Sequence, residues 1–154
     1  MAVRPIVLLG DPVLRAVAAE VTVFDDALRL LAADMFDTMY GAPGRGLAAP
    51  QVGVSQRLCI MDPGWKDGEP NPKTFVNPHI AGASALMQTT AEGCLSIPGR
   101  TCRVVRPTEV FLRWQGLWGA WHEGWFYDVE AVCVQHEIDH LNGVLCIDYL
   151  EEPA

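Results

Sequence analysis

The sequence is short of positive charge. Eleven Lys and Arg stand against nineteen Asp and Glu, giving a formal net charge of −8 and a pI near 4.8. Binding to nucleic acid through its phosphates needs a basic face, so this balance excludes a general nucleic-acid binder while leaving room for a small local basic patch. No apolar run approaches the roughly 20 residues of a membrane span. The opening segment Met1 to Gly10 is too short for a signal sequence with a cleavage site, so the expected location is the cytoplasm. Cysteine is sparse and odd in number: Cys59, Cys94, Cys102, Cys133 and Cys146 show no paired spacing. They read as reduced thiols, most of them small buried hydrophobes, rather than a disulfide framework. There is no internal repeat, low-complexity tract or linker. The 154 residues, half of them apolar, are therefore expected to form one α+β domain over 1–154.

Asp11-Pro12 reads as an N-cap with proline at the first helical position, opening a short helix through Val13, Leu14 and Val17. Asp25-Asp26 precede Leu28, Leu31, Ala32, Met35 and Met39 at helical spacing, and Gly41 ends that helix. Residues 41–53 hold four glycines and two prolines and read as a shaped loop without regular structure. Short apolar runs at 57–61, 74–77, 100–105, 109–114 and 144–147 read as strands. Four of the five tryptophans fall within 114–125 among glycines, which predicts a hairpin whose aromatics cover the core. His79 and His122 have no motif partners and read as surface or loop residues. A last helix is expected to start after Asp128 as N-cap, to run over 129–141, and to stop at Gly143. It is apolar on nearly every side except at its His and Glu positions, so it is expected to be central and buried.

Those polar positions carry the chemistry. In His136-Glu137-Ile138-Asp139-His140 the two histidines are four residues apart and share a helix face, with Glu137 beside them. That pattern suits a metal site with a base built in. A catalytic site of this type takes three protein ligands and a water. One group of zinc hydrolases supplies the third ligand from a glutamate on a following helix, and another from a third histidine downstream. Only fourteen residues follow His140; they contain no histidine and leave no room for such a helix. The third ligand must then come from upstream, and Glu92-Gly93-Cys94-Leu95-Ser96 is the best source. Sulfur with two imidazoles is a soft, matched set for iron(II), zinc, nickel or cobalt. Taken singly, Cys94 reads as structural, Gln51 as a loop amide and Glu92 as a surface carboxylate.

Gly44-Arg45-Gly46-Leu47-Ala48-Ala49-Pro50-Gln51, the Glu92 to Ser96 segment and Gln135-His136-Glu137-Ile138-Asp139-His140 together resemble the three motifs of the peptide deformylases, in order and approximate spacing. The similarity continues through Asp11 to Leu14, Asn77-Pro78, Ser96 to Gly99 and Leu141 to Gly143, and covers nearly the whole chain. The resemblance implies antiparallel β-sheets packed around a central metal-binding helix. It implies Cys94, His136 and His140 as ligands of one divalent metal ion, iron(II) in the cell, with zinc, nickel or cobalt as substitutes. It implies Glu137 as proton shuttle, and the Gln51 amide with the Leu95 N–H as donors to the oxyanion. Arg45, Gly46 and Gly93 would line the peptide's path, glycines at 44, 46 and 93 letting its backbone approach closely, and Val129, Val132 and Cys133 would line a methionine pocket. The implied reaction is hydrolysis of the N-formyl group of formylmethionyl peptides in protein biosynthesis, with release of formate. Two rivals stand beside it: a deformylase-like amidase acting on short formyl-peptides or other N-acyl compounds, and a non-catalytic, metal-stabilised binding protein.

The chain departs from the family in two places. Arg45 stands where an aliphatic residue is usual, and its charge must meet solvent, an acid or an anionic substrate group; the expectation is a preference for short formyl-peptides whose C-terminal carboxylate it reaches. The sequence also stops at Glu151-Glu152-Pro153-Ala154, without the C-terminal helix many bacterial relatives carry. Ribosome association is therefore expected to be weak.

Overall fold

The computed structural model describes residues 2–150. Asp25 caps helix α1 (Asp26–Gly41), its carboxylate accepting the Leu28 N–H at 3.0 Å. The periodic residues Leu28, Leu31, Ala32, Met35 and Met39 are all buried on one face. Asp11 accepts the Val13 N–H ahead of a single 3-10 turn, Pro12–Arg15, which stops short of Val17.

The stretch 41–53 is more regular than its glycines and prolines suggest. Gly46–Ala48 is strand β1, and Ala49–Val52 is a 3-10 turn. Leu47 and Ala48 are fully buried, and buried backbone must be paired, so β1 joins β2 (Leu58–Met61) despite its composition. Strands β3 (Lys73–Ala83), β6 (Glu109–Gln115) and β7 (Trp121–Tyr127) complete an antiparallel five-stranded sheet in the order β1-β2-β3-β6-β7. Pro78 fits inside β3 because the register slips between Val76 and His79, where proline's missing N–H costs no ladder bond. Strands β4 (Met87–Cys94) and β5 (Ile97–Pro107) form a separate hairpin. Nothing apolar announced β4: of its eight residues only Glu92 is buried.

Helix α2 (Asp128–Leu141) is buried along most of its length. Tyr127 rather than Asp128 takes the N-cap position. Asp128 is already the first helical residue, at φ 49°, with its N–H donated to the Thr108 carbonyl at 2.9 Å. Ala131, Val134, Ile138 and Leu141 pack with Phe75, Val110, Leu112 and Phe126 of the large sheet. Beyond the helix, Gly143 turns the chain at φ 74°, so close to the preceding elements that a Cβ there would lie 2.5 Å from the Arg15 carbonyl.

The expected strand at 144–147 is a 3-10 turn instead, Cys146–Tyr149. The Val144 N–H returns to the Asp139 carbonyl and Asp148 accepts the Leu145 N–H, so the segment closes on itself. The β6–β7 hairpin forms as expected, but its aromatics do not all cover the core. Trp114 packs inward, while Trp118 in the hairpin turn is 75 % exposed and Trp121 and Trp125 are 53 % and 46 % exposed because β7 alternates them outward. His79 and His122 are exposed beside Trp121 and Trp114. All five cysteines are free thiols, with Cys59, Cys102 and Cys146 buried. No described helix is long and apolar enough to cross a membrane. The tail Glu151 to Ala154 lies outside the described residues.

Candidate metal centre

The hairpin and the buried helix meet at one point. Cys94 ends β4 at the tight turn made by Leu95 and Ser96, while His136 and His140 project from one face of α2. The Cys94 Sγ and one nitrogen of each histidine all lie within 4.8 Å of one another. His140 Nε2 is 3.2 Å from His136 Nε2 and 3.4 Å from Cys94 Sγ.

Glu92 fixes the orientation of His136. Its Oε1 is 2.9 Å from His136 Nδ1, and a proton donated there leaves the Nε2 lone pair facing the other two donors. Glu92 is in turn gripped by Arg106 through two bonds of 2.6 and 2.8 Å. Arg106 also donates to Asp139, which accepts from the Tyr149 hydroxyl. Sequence reasoning placed Glu92 at the surface and did not single out Arg106; both are buried. The available signal was chemical: a metal-binding histidine needs an acceptor for its second nitrogen, and Glu92 sits two residues from the proposed sulfur ligand.

The electrostatics favour a cation. Burial opposes the charge on Glu92, but Arg106 and His136 outweigh it and hold the carboxyl at about 2. Burial likewise favours a neutral His136, while Glu137, Cys94 and Glu92 push it up to about 10, so the site favours positive charge and a metal ion binding there would displace the proton from Nε2. Burial, with His136 and Arg106, keeps His140 well below its ordinary value and so an available lone pair. Burial raises Glu137 to about 7, against the pull of His136. Glu137 Oε1 and His140 Nδ1 are buried without a hydrogen-bond partner. A carboxylate oxygen so placed costs about 1–3 kcal/mol unless something fills the site. A divalent cation with a water fits this donor set and the orphaned Glu137 oxygen, whereas His140 Nδ1 lies on the ring edge away from the cluster.

A cavity of about 740 Å³ opens over the centre. Arg45, Gly46, Gln51, Gly93, Cys94, Leu95, Val129, Val132, Cys133, His136 and Glu137 all line it, so the site residues read from the sequence come together here with His140 just beneath. Gln51 is locked: its Oε1 accepts the Ala48 N–H at 3.0 Å, and its Nε2 faces Ser96 Oγ at 3.1 Å and Cys94 Sγ at 3.7 Å. That pairing assigns the amide's orientation and aims its donors at the centre. The glycines have reasons within the protein itself. A Cβ on Gly46 would come within 2.5 Å of Glu137 Oε2, and one on Gly44 within 2.7 Å of Leu95 Cδ1, whereas a Cβ on Gly93 would point into open space. Arg45 and Leu47 pair with β2, so by strand alternation the Gly46 backbone groups face the open edge.

The family model described as polypeptide deformylase matches residues 3–154. A peptide deformylase of Afipia carboxidovorans is 49 % identical over 152 residues, covering 99 % of this chain and 89 % of that one. The crystal structure of a peptide deformylase from Thermotoga maritima superposes with TM-score 0.91 at 39 % identity, covering 97 % of this chain and 99 % of that one. A class I type b peptide deformylase from Acinetobacter baumannii, solved with Met-Ala-Ser bound, gives TM-score 0.90 at 36 % identity, covering 96 % of this chain and 98 % of that one.

Proposed function

The chain belongs to the polypeptide deformylase family, a family of metallo-hydrolases, and from that premise we propose that residues 1–154 act as one domain in which Cys94, His136 and His140 hold a single divalent cation, iron(II) in the cell and zinc, nickel or cobalt as substitutes. The substrate is the N-formyl group of formylmethionyl peptides, including nascent chains. The observation that carries the reading is Glu137, whose buried, unpartnered Oε1 lies beside a converging sulfur and two imidazoles. When bound, the cation supplies Lewis-acid chemistry, lowering the pKa of a water and polarising the formyl oxygen.

The chain's own residues do the rest. Glu137, held near 7, takes the proton as water adds to the formyl carbon and returns it to the amine as the C–N bond breaks, leaving formate and a free amino terminus. The Gln51 Nε2 and the Leu95 N–H donate to the oxygen where charge develops. The peptide backbone adds along the open edge of β1 at Arg45 and Gly46, with Gly93 leaving space opposite. Val129, Val132 and Cys133 receive the methionine side chain. A purely binding protein would gain nothing from a buried, unpartnered Glu137, and an amidase of broader N-acyl scope would act on acetyl as well as formyl substrates.

Formate release from formyl-Met-Ala, compared with acetyl-Met-Ala and with a Glu137→Ala variant under oxygen-free iron(II) conditions, tests the reading. Release from the formyl substrate alone is expected, with a loss of roughly 10²- to 10⁴-fold in the variant. No formate from freshly metallated protein overturns it. Action on nascent chains implies a cytoplasmic enzyme with only weak ribosome association, so little co-sedimentation with ribosomes is the expected outcome.

A further inference from the structure

The charged lining of the cavity divides by depth. Glu92, His136 and Glu137 are buried at the floor, and the three exposed charged side chains, Arg45, Lys66 and Arg100, are all positive. They come from three places in the fold: the approach to β1, the 3-10 turn Trp65–Asp67, and β5. None of the three enters an ion pair among the described residues, although acidic residues outnumber basic ones nineteen to eleven. Arg4, Arg15, Arg29, Lys73, Arg106 and Arg113 are all paired, Arg57 is engaged by the Leu141 carbonyl and Asn142, and the remaining cation, Arg103, is exposed on β5 outside the cavity lining and enters no ion pair among the described residues. In so acidic a chain, three cations without ion pairs at one opening make that mouth locally positive.

Resting on the proposed deformylase reaction, we infer that this mouth binds a carboxylate carried by the substrate beyond its methionine. A peptide added along the edge of β1 runs past Arg45, with Arg100 on the hairpin across the cavity and Lys66 near its rim. The carboxylate comes either from an acidic side chain or from the free C-terminus of a short peptide. Each source gives the same charge-assisted contact, and arginine's fork suits either.

The test compares kcat/KM at about 0.1 M salt, where the screening length is about 10 Å, so that the mouth is felt more than the whole acidic molecule. Four substrates are used: formyl-Met-Ala-Gln amide, formyl-Met-Ala-Glu amide, formyl-Met-Ala-Gln with a free carboxylate, and formyl-Met-Ala-Lys amide. At least one carboxylate substrate is expected to exceed the neutral amide by about 5-fold, through KM rather than kcat, and the lysine substrate to fall below it. Whichever carboxylate substrate shows the gain identifies the source. The combined Arg45→Gln, Lys66→Gln, Arg100→Gln variant is expected to bring the ratios to one. Ratios are taken within each protein, so a loss common to all substrates cancels. If neither carboxylate substrate exceeds the neutral amide while formate is still released from that amide, the inference fails and the deformylase reading stands. If no substrate yields formate, both fail.

Discussion

A carboxylate two residues from the proposed sulfur ligand looks in the sequence like any solvated acid between small neighbours. Glu92 becomes intelligible only when the β4–β5 hairpin brings Arg106 beside it and α2 brings His136 against its other side. It then holds a ligand's tautomer and neutralises a buried guanidinium at once. Glu92→Ala is accordingly expected to weaken metal binding 10- to 100-fold, measured by competition with a chelating dye, through lost orientation of His136. The same change is expected to destabilise the protein, by at most about 3–5 kcal/mol in urea unfolding, because the buried Arg106 loses its two-bond partner and keeps only Asp139. Unchanged metal affinity would remove Glu92 from the support of the centre. The two histidines and Glu137 were legible because helical spacing binds them into one motif, Cys94 because nothing downstream could complete the set and through resemblance, and Gln51 through resemblance. Glu92 and Arg106 were not, since their meeting depends on hairpin register.

At the scale of elements, legibility followed apolar periodicity. Helices α1 and α2 and the β6–β7 hairpin carry it, and they fold where expected. Strand β4 carries none, and β1 is three residues within a glycine-rich stretch; both are held by their partners' pairing rather than by their own composition. The turn after α2 was mistaken for a strand because its apolar run matches a buried strand as well as a buried turn. That turn is pinned to the first 3-10 turn by Arg15, which donates to Asp148 at 2.6 and 3.1 Å and holds its carboxyl below the ordinary value. A carboxyl lowered on folding stabilises the native state above its unfolded pKa and ceases to do so as pH falls through the folded one. Both side chains are more than a third exposed, at 47 % and 36 %, so the contribution is at most about 1 kcal/mol. Asp148→Asn is expected to lower stability by up to that amount at pH 7. Its penalty should shrink as pH falls below about 4, as read by urea unfolding at a series of pH values. A penalty constant down to pH 2 would assign the effect to the Leu145 cap instead.

Taken as a whole, the molecule is two sheets with α2 against them, and the proposed ligand set spans that join: Cys94 from the small hairpin, both histidines from the helix. A cation held there ties the hairpin to the core as well as serving the reaction. Stripping it with a chelator is expected to lower unfolding stability by about 4 kcal/mol relative to protein with free metal at a thousand times its Kd. A Cys94→Ser variant is expected to lose most of that increment. Equal stability of stripped and loaded protein would show that the hairpin is docked by its apolar contacts alone.

Positions 44 and 46 admit nothing larger than glycine without moving Leu95 or Glu137, yet the residue between them sends its side chain outward and touches neither. A side chain added at either flanking position would displace groups of the candidate centre, while the one at 45 lies exposed at the mouth of the cavity. A replacement at 45 would therefore alter the charge at the mouth without crowding Leu95 or Glu137.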